Sequence, residues 1–220
     1  MRTPRCTAIL WDLDGTIADS APSIMHCMAR TLEAFGLPVP DERQLRDYIG
    51  PPILDTFRAQ GFDDATELNE ALAMYRQIAA EYADAGTRIY PGVGELVHAA
   101  RAAGLPQSTA TSKIESSARR ILDRAGLTSS LDFVTGANED ETRSAKQEVV
   151  AEALHRLRGI GADLSRVVMI GDRHYDVAGA RANGVPAYYV HWGYGGPGEE
   201  EGAAGTAQTP RRLAQLLGLD

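Results

Sequence analysis

Thr7-Ala8-Ile9-Leu10-Trp11-Asp12-Leu13-Asp14-Gly15-Thr16 is the stretch that decides the fold. Its short apolar run stops at an acidic turn, the pattern of a buried strand that ends at Asp12. Outward from it, short apolar runs alternate with helix-length segments, which predicts an α/β fold with a mostly parallel sheet. Strands are expected over 105–110, 131–134, 167–170 and 187–190, and helices over 93–103, 114–125, 144–158 and 174–183, with a short last helix through Leu217. The clearest strand is Val167-Val168-Met169-Ile170, bounded by Gly171-Asp172.

Residues 22–82 break this alternation. Ile24, Met28, Leu32 and Phe35 have helical spacing, Gly36-Leu37-Pro38 stops that helix, and 53–60 and 65–82 are helical again. An all-helical block inside an α/β pattern is the mark of an inserted cap. The expected division is a Rossmann-like α/β core of 1–18 and 87–220 and a helical cap of 19–86. The glycine-rich acidic stretch 193–205 is expected to be a mobile surface loop.

The chain has 220 residues and a formal net charge of -8, which argues against a nucleic acid polymer as principal partner. A small anion stays possible, because a bound metal reverses the local sign. Cys6 and Cys27 have neither metal-ligand spacing nor a disulfide pattern and fit a reducing compartment. Met1-Arg2-Thr3-Pro4-Arg5 is positive, but the apolar run after it is too short for a signal peptide or a membrane span. A soluble, cytoplasmic protein without a membrane partner is expected, as a monomer or weak homodimer. Lysine occurs only at Lys113 and Lys146, and the other 20 basic residues are arginine. Where lysine does occur, a compact point charge fits the position's need.

Two acidic clusters carry the chemistry. In Asp12-Leu13-Asp14-Gly15-Thr16, alternation along an extended chain lets Asp12 and Asp14 face the same way. Two such carboxylates repel unless a cation lies between them or one is protonated. Mg²⁺, a hard ion that takes oxygen ligands, would resolve the conflict. Alone, Asp-Gly also fits an ordinary turn. In Gly171-Asp172-Arg173-His174-Tyr175-Asp176, the aspartates follow the strongest strand and lie one helical turn apart. Alone, they also fit an N-cap and a carboxylate favoured by the helix dipole. Together, the clusters place acids at the ends of two strands whose carboxyl ends share one rim, where α/β sheets bind ligands.

These segments, with the helical insert, resemble the haloacid dehalogenase superfamily, and within it the phosphoglycolate phosphatase-like group. Asp19-Ser20, Ile49-Gly50-Pro51-Pro52, Pro91-Gly92-Val93 and Trp192-Gly193-Tyr194-Gly195 extend the similarity over nearly the whole chain. The resemblance implies a Mg²⁺-dependent phosphatase acting on a small-molecule phosphate ester. Asp12 would be the nucleophile that carries the phosphoryl group. Asp14 would be the acid and base at the leaving oxygen. Asp12, the Asp14 main-chain carbonyl and Asp172 would hold the metal, with Asp176 behind them. Thr111 and the Ser112 amide would bind phosphate, and Lys146 would steady the phosphoryl group and Asp12. The strand before Thr111 is unusually polar at Gln107-Ser108-Thr109, and Gln147 stands where many relatives have proline.

A phosphohexomutase of the same fold would keep these residues, and a non-catalytic binding protein would be expected to lose some of them. Within the phosphatase reading, phosphoglycolate needs a cap cation, for which Arg30, Arg43, Arg46, Arg58 and Arg76 are available. A nucleoside monophosphate, the 5'-nucleotidase alternative, would favour an aromatic surface such as Tyr48. The cap type and its loop favour the phosphoglycolate-like preference.

Overall fold

Every side chain of β1 (Ala8–Trp11) is buried, because this strand lies inside a five-stranded parallel sheet with partners on both edges. The computed structural model describes residues 5–219, with the backbone alone at 83–85, so residues 1–4 of the expected basic start lie outside the described residues. After β1 come β2 (Ala18–Asp19) and four helices: α1 (Ala21–Ala34), α2 (Glu42–Asp47), α3 (Ile53–Ala59) and α4 (Ala65–Gly86). They are followed by β3 (Arg88–Ile89), α5 (Val93–Ala102), β4 (Gln107–Thr109), α6 (Glu115–Arg124), α7 (Lys146–Gly159) and β5 (Val167–Gly171). The chain then forms α8 (His174–Ala182), β6 (Ala187–Val190), β7 (Gly205–Ala207) and α9 (Pro210–Leu217). No described helix is long and apolar enough to cross a membrane.

The strand order is β4-β1-β5-β6-β7, with all pairs parallel. Ile9 lies opposite Gln107 and Val168, and Trp11 opposite Thr109 and Ile170. Because side chains alternate across a strand, Ile9, Trp11, Val168 and Ile170 join one buried cluster, and Ala8, Leu10, Val167 and Met169 join the other. Helices cover both faces. The connection from β1 runs to β4 on one side, while β5 pairs on the other, so the strand order reverses beside β1 and opens a crevice at its carboxyl end.

The polar strand β4 is shorter than its expected span, and its side chains explain the difference. Trp11 Nε1 donates to Gln107 Oε1 at 2.9 Å, and Gln107 Nε2 donates to the carbonyls of Val97 and Ser130 at 3.1 and 3.0 Å. Thr109 Oγ1 donates to the Thr135 carbonyl at 2.8 Å and accepts from the Thr135 amide at 2.7 Å. Segment 131–134 was expected to be a strand, but it makes only an isolated bridge from Phe133 to Ser108. Side-chain bonds from β4 supply part of the pairing that a regular ladder would have made.

Helices α1 to α4 lie between β2 and β3, which pair antiparallel with Ala18 opposite Ile89 and Asp19 opposite Arg88. This two-stranded ribbon was not anticipated from the sequence, since two residues per strand are too few to show a period. Helix α2 is started by Asp41, which accepts from the Gln44 amide at 2.9 Å. Met28, Leu32, Phe57, Phe62, Leu68 and Leu72 bury one another as a separate apolar cluster. Phe57 is fully buried and meets Phe62 and Tyr75 edge-on. Phe57→Ala should therefore lower unfolding stability by about 3–5 kcal/mol in urea denaturation. A loss below about 1 kcal/mol would mean that this ring does not anchor the helical layer.

Candidate active site

The carboxyl end of the sheet gathers acids. Asp12 follows β1 and Asp172 follows β5, while Asp176 lies in the first turn of α8. All three are buried, at 3%, 0% and 1% exposure. One carboxylate oxygen from each falls within 4.8 Å of the others. Backbone approach requires glycine here. Gly15 has φ +85, and a Cβ on it would fall 2.1 Å from Asp172 Oδ2; a Cβ on Gly193 would fall 2.3 Å from the same atom.

Lys146 begins α7 and reaches this cluster from the other side of β1. Its Nζ lies 2.7 Å from Asp12 Oδ1 and 2.8 Å from Asp176 Oδ1, and donates to the Ala110 carbonyl at 3.3 Å. Burial opposes charge on Lys146, yet Asp12 and Asp176 overcome it and raise the ammonium pKa. Burial likewise pushes Asp12 and Asp172 above the ordinary carboxylate range. Lys146 pulls Asp12 back, while Asp176 pushes both aspartates further up. One ammonium among three buried carboxylates leaves excess negative charge. The donor set, hard oxygens converging out of water, fits a divalent cation such as those carboxylates bind. Asp176, expected behind the metal ligands, is itself one of the three converging acids.

Asp14 points elsewhere. Its Oδ1 accepts from Ser20 Oγ, and its Oδ2 lies 3.0 Å from Lys113 Nζ. Both lysines of the chain thus reach the site, one on each aspartate of the first motif. Thr16 Oγ1 and the Tyr194 amide donate to the two oxygens of Asp172 at 3.1 and 2.7 Å. The Tyr194 hydroxyl accepts from the amides of Ser20 and Ala21 at 2.7 and 2.9 Å and donates to Asp19 Oδ1 at 3.0 Å. Trp192 Nε1 donates to the Thr16 carbonyl at 3.0 Å.

The expected mobile loop over 193–205 is therefore tied to the site. Glu199 accepts from Arg173 Nε at 2.8 Å and from the amides of His174 and Gly196 at 3.0 Å each. Though partial burial opposes it, these donors hold the Glu199 carboxyl down at about 2. Arg173 also donates through Nη1 to the Ile49 carbonyl, bridging to the loop before α3. Tyr194 and Arg173 stood inside quoted motifs, but sequence does not report which partners they meet.

A cavity of about 320 Å³ opens over these groups. Asp12, Asp14, Thr111, Ser112, Lys113 and Lys146 form its floor, and Tyr48, Ile49, Leu72, Tyr75 and Arg76 come from the helical layer. Thr111 is buried and Ser112 Oγ has no partner among the described residues. Of the five arginines named for the cap, Arg76 lines this cavity. Arg30, Arg46 and Arg58 pair with Glu33, Glu42 and Asp55 at the surface, and Arg43 is exposed. Glu141, on the loop before α7, also lines the cavity and had no signal in the sequence.

A family model described as haloacid dehalogenase-like hydrolase matches residues 9–190. Among curated proteins, the chain is 39% identical over 190 residues to the tyrosine-protein kinase PtkA of Mycobacterium tuberculosis, covering 85% of this chain and 62% of that one. It therefore spans less than two thirds of that relative's length. It is 34% identical to a 5'-nucleotidase of Pseudomonas aeruginosa, over 87% of this chain and 85% of that one. It is 32% identical to a plasmid phosphoglycolate phosphatase of Cupriavidus necator, over 88% and 84%. Among solved structures, a predicted phosphatase from Clostridium acetobutylicum superposes with a TM-score of 0.88 at 28% identity, covering 96% of this chain and 97% of that one.

Gly15→Ala tests the geometry directly, since the new Cβ must displace the Asp172 carboxylate. The variant should keep its circular dichroism spectrum and lose at least about tenfold in divalent-cation affinity by calorimetry. Unchanged affinity would show that Asp172 does not hold the ion.

Proposed function

This chain belongs to the haloacid dehalogenase-like hydrolases, and from that premise we propose that it is a Mg²⁺-dependent phosphatase of small-molecule phosphate monoesters that works through a phospho-aspartate on Asp12. The observation that carries this reading is Lys146 Nζ, 2.7 Å from Asp12 at the floor of a cavity that also holds Asp14. The catalytic core is then 1–18 and 87–220, and the cap of 19–86 roofs the cavity.

The steps follow from the groups in place. Asp12 attacks phosphorus, forming a carboxylate oxygen–phosphorus bond while the ester oxygen–phosphorus bond breaks. Asp14 gives its proton to the departing oxygen, then takes one from the water that attacks the phospho-aspartate and releases inorganic phosphate. Ser20 and Lys113 orient Asp14 for both transfers. Lys146 holds Asp12 in line and offsets charge on the transferred group, and the hydroxyl of Thr111 and amide of Ser112 cradle its oxygens. Mg²⁺, held by Asp12, the Asp14 carbonyl and Asp172 with Asp176 in support, would offset further phosphoryl charge when bound.

Two relatives bear the names of two substrate classes, phosphoglycolate and 5'-nucleotides. The cap type and its loop favour a phosphoglycolate-like preference, with a 5'-nucleotidase as the alternative, and the cavity wall bears on that choice. The kinase name belongs to longer proteins of which this chain matches a part. A hydrolase is the reading that the family description and these other relatives support in common.

Hydrolysis of an aryl phosphate should stop with chelator and return with Mg²⁺. Asp12→Asn should abolish turnover with the fold intact, and Lys146→Ala should lower kcat by about 10²–10³-fold. If Lys113→Ala were the more damaging change, the two lysines would have exchanged roles. Transfer of the ATP γ-phosphate to a peptide tyrosine, with esters left untouched, would overturn the reading.

A further inference from the structure

Glu141 is the one non-glycine residue with positive φ among the described residues, at 58°. It sits in a built turn: its amide donates to the Asn138 carbonyl at 3.1 Å, and Asn138 Oδ1 accepts from the Arg143 amide at 2.7 Å. Ser144 Oγ donates to the Glu141 carbonyl at 3.2 Å. Left-handed backbone at such a residue is strained and persists where the surroundings impose it. The turn carries the Glu141 side chain, 2% exposed, to the wall of the cavity above Asp12 and Asp14. Oε1 accepts from Arg76 Nη2 of α4 at 3.1 Å, while Oε2 is buried without a partner among the described residues. A buried acceptor left unpaired is destabilising, and a donor arriving with a ligand would relieve it.

The same contact sets the local charge at this wall of the cavity, where the exposed Glu139 adds a second carboxylate. The cations that line it are already engaged: Arg76 with Glu141, Lys113 with Asp14 and Lys146 with Asp12 and Asp176. Arg120 is exposed at the rim, where it donates to Ser117. A carboxylate on the leaving group would meet the Glu141 carboxylate across a low-dielectric space, with the nearby cation shared. A hydroxyl or amino group would instead donate to the Glu141 carboxylate, while Ile49, Leu72 and Tyr75 cover its carbon frame.

We infer that Glu141 is a specificity-determining residue that selects phosphate esters whose leaving group carries a hydroxyl or amino donor and rejects those carrying a carboxylate. The inference rests on the phosphatase reading and narrows its substrate class away from phosphoglycolate. Arg76 shares the charge of Glu141 and so limits the rejection.

The test compares 2-hydroxyethyl phosphate with phosphoglycolate, which differ at the terminal carbon alone. Wild type should favour the hydroxyl ester by about a hundredfold in kcat/KM. Glu141→Gln should shrink that ratio by raising phosphoglycolate turnover, and Arg76→Met should widen it. Calorimetry with the two esters on Asp12→Asn protein reads the same preference without chemistry. Equal or better use of phosphoglycolate by wild type, or a ratio that Glu141→Gln leaves unmoved, would overturn the inference. Selective binding of the hydroxyl ester without turnover of any ester would support it and sink the phosphatase reading instead.

Discussion

The Lys146 ammonium sits between Asp12 and Asp176, and the carboxyl end of the sheet is arranged around that placement. Three buried carboxylates cannot stay ionised together without compensating charge, and a single lysine supplies one unit of it. The sheet brings Asp12 and Asp172 to one rim because β1 and β5 run parallel with Trp11 opposite Ile170. Helix α7 must then pack close enough for its first residue to reach across. Gly179 of α8 permits this, since a Cβ there would meet the Lys146 side chain at 2.6 Å. The electrostatic requirement and the packing are thus one constraint.

A second set of contacts ties this acidic rim to the helices above it. Tyr194 bonds Asp172 through its amide and the start of α1 through its hydroxyl, so one residue spans the acidic rim and the first helix of the layer above it. Arg173, next in sequence to Asp172, reaches the Ile49 carbonyl and is steadied by Glu199. In the glycine-rich stretch after β6, Glu199 serves this role as an anchor for Arg173 and His174. Motion of the helical layer would be felt at Asp172 through two short paths.

The cavity combines a charged floor with walls of a different character. Its floor carries Asp12, Asp14, Lys113 and Lys146, whereas its walls are mostly apolar and aromatic, with the Arg76–Glu141 pair joining the helical layer to the loop before α7. This division matches the chemistry, since the phosphoryl group is common to all esters and only the leaving group distinguishes them. The proposed selectivity therefore resides in Arg76 and Glu141, neither of which stands in a quoted motif.

How much was legible in the chain follows the same division. The strands at 167–170 and 187–190, the α/β alternation and the acids at the strand ends could be seen because buried parallel strands are short apolar runs and their carboxyl ends need polar residues. The rarity of lysine marked Lys113 and Lys146 before either had a partner. The two-residue ribbon β2–β3, strand β7 and the side-chain pairing of β4 with 131–135 left no periodic trace. The sequence by itself determined the fold class and the residue types the chemistry needs, because these depend on local pattern and composition. Only the tertiary structure decided that Lys113 faces Asp14, that Tyr194 and Arg173 bridge the rim and the helical layer, and that Glu141 is buried against Arg76. Those pairings depend on distances between segments that meet only once the sheet has closed over its two cores.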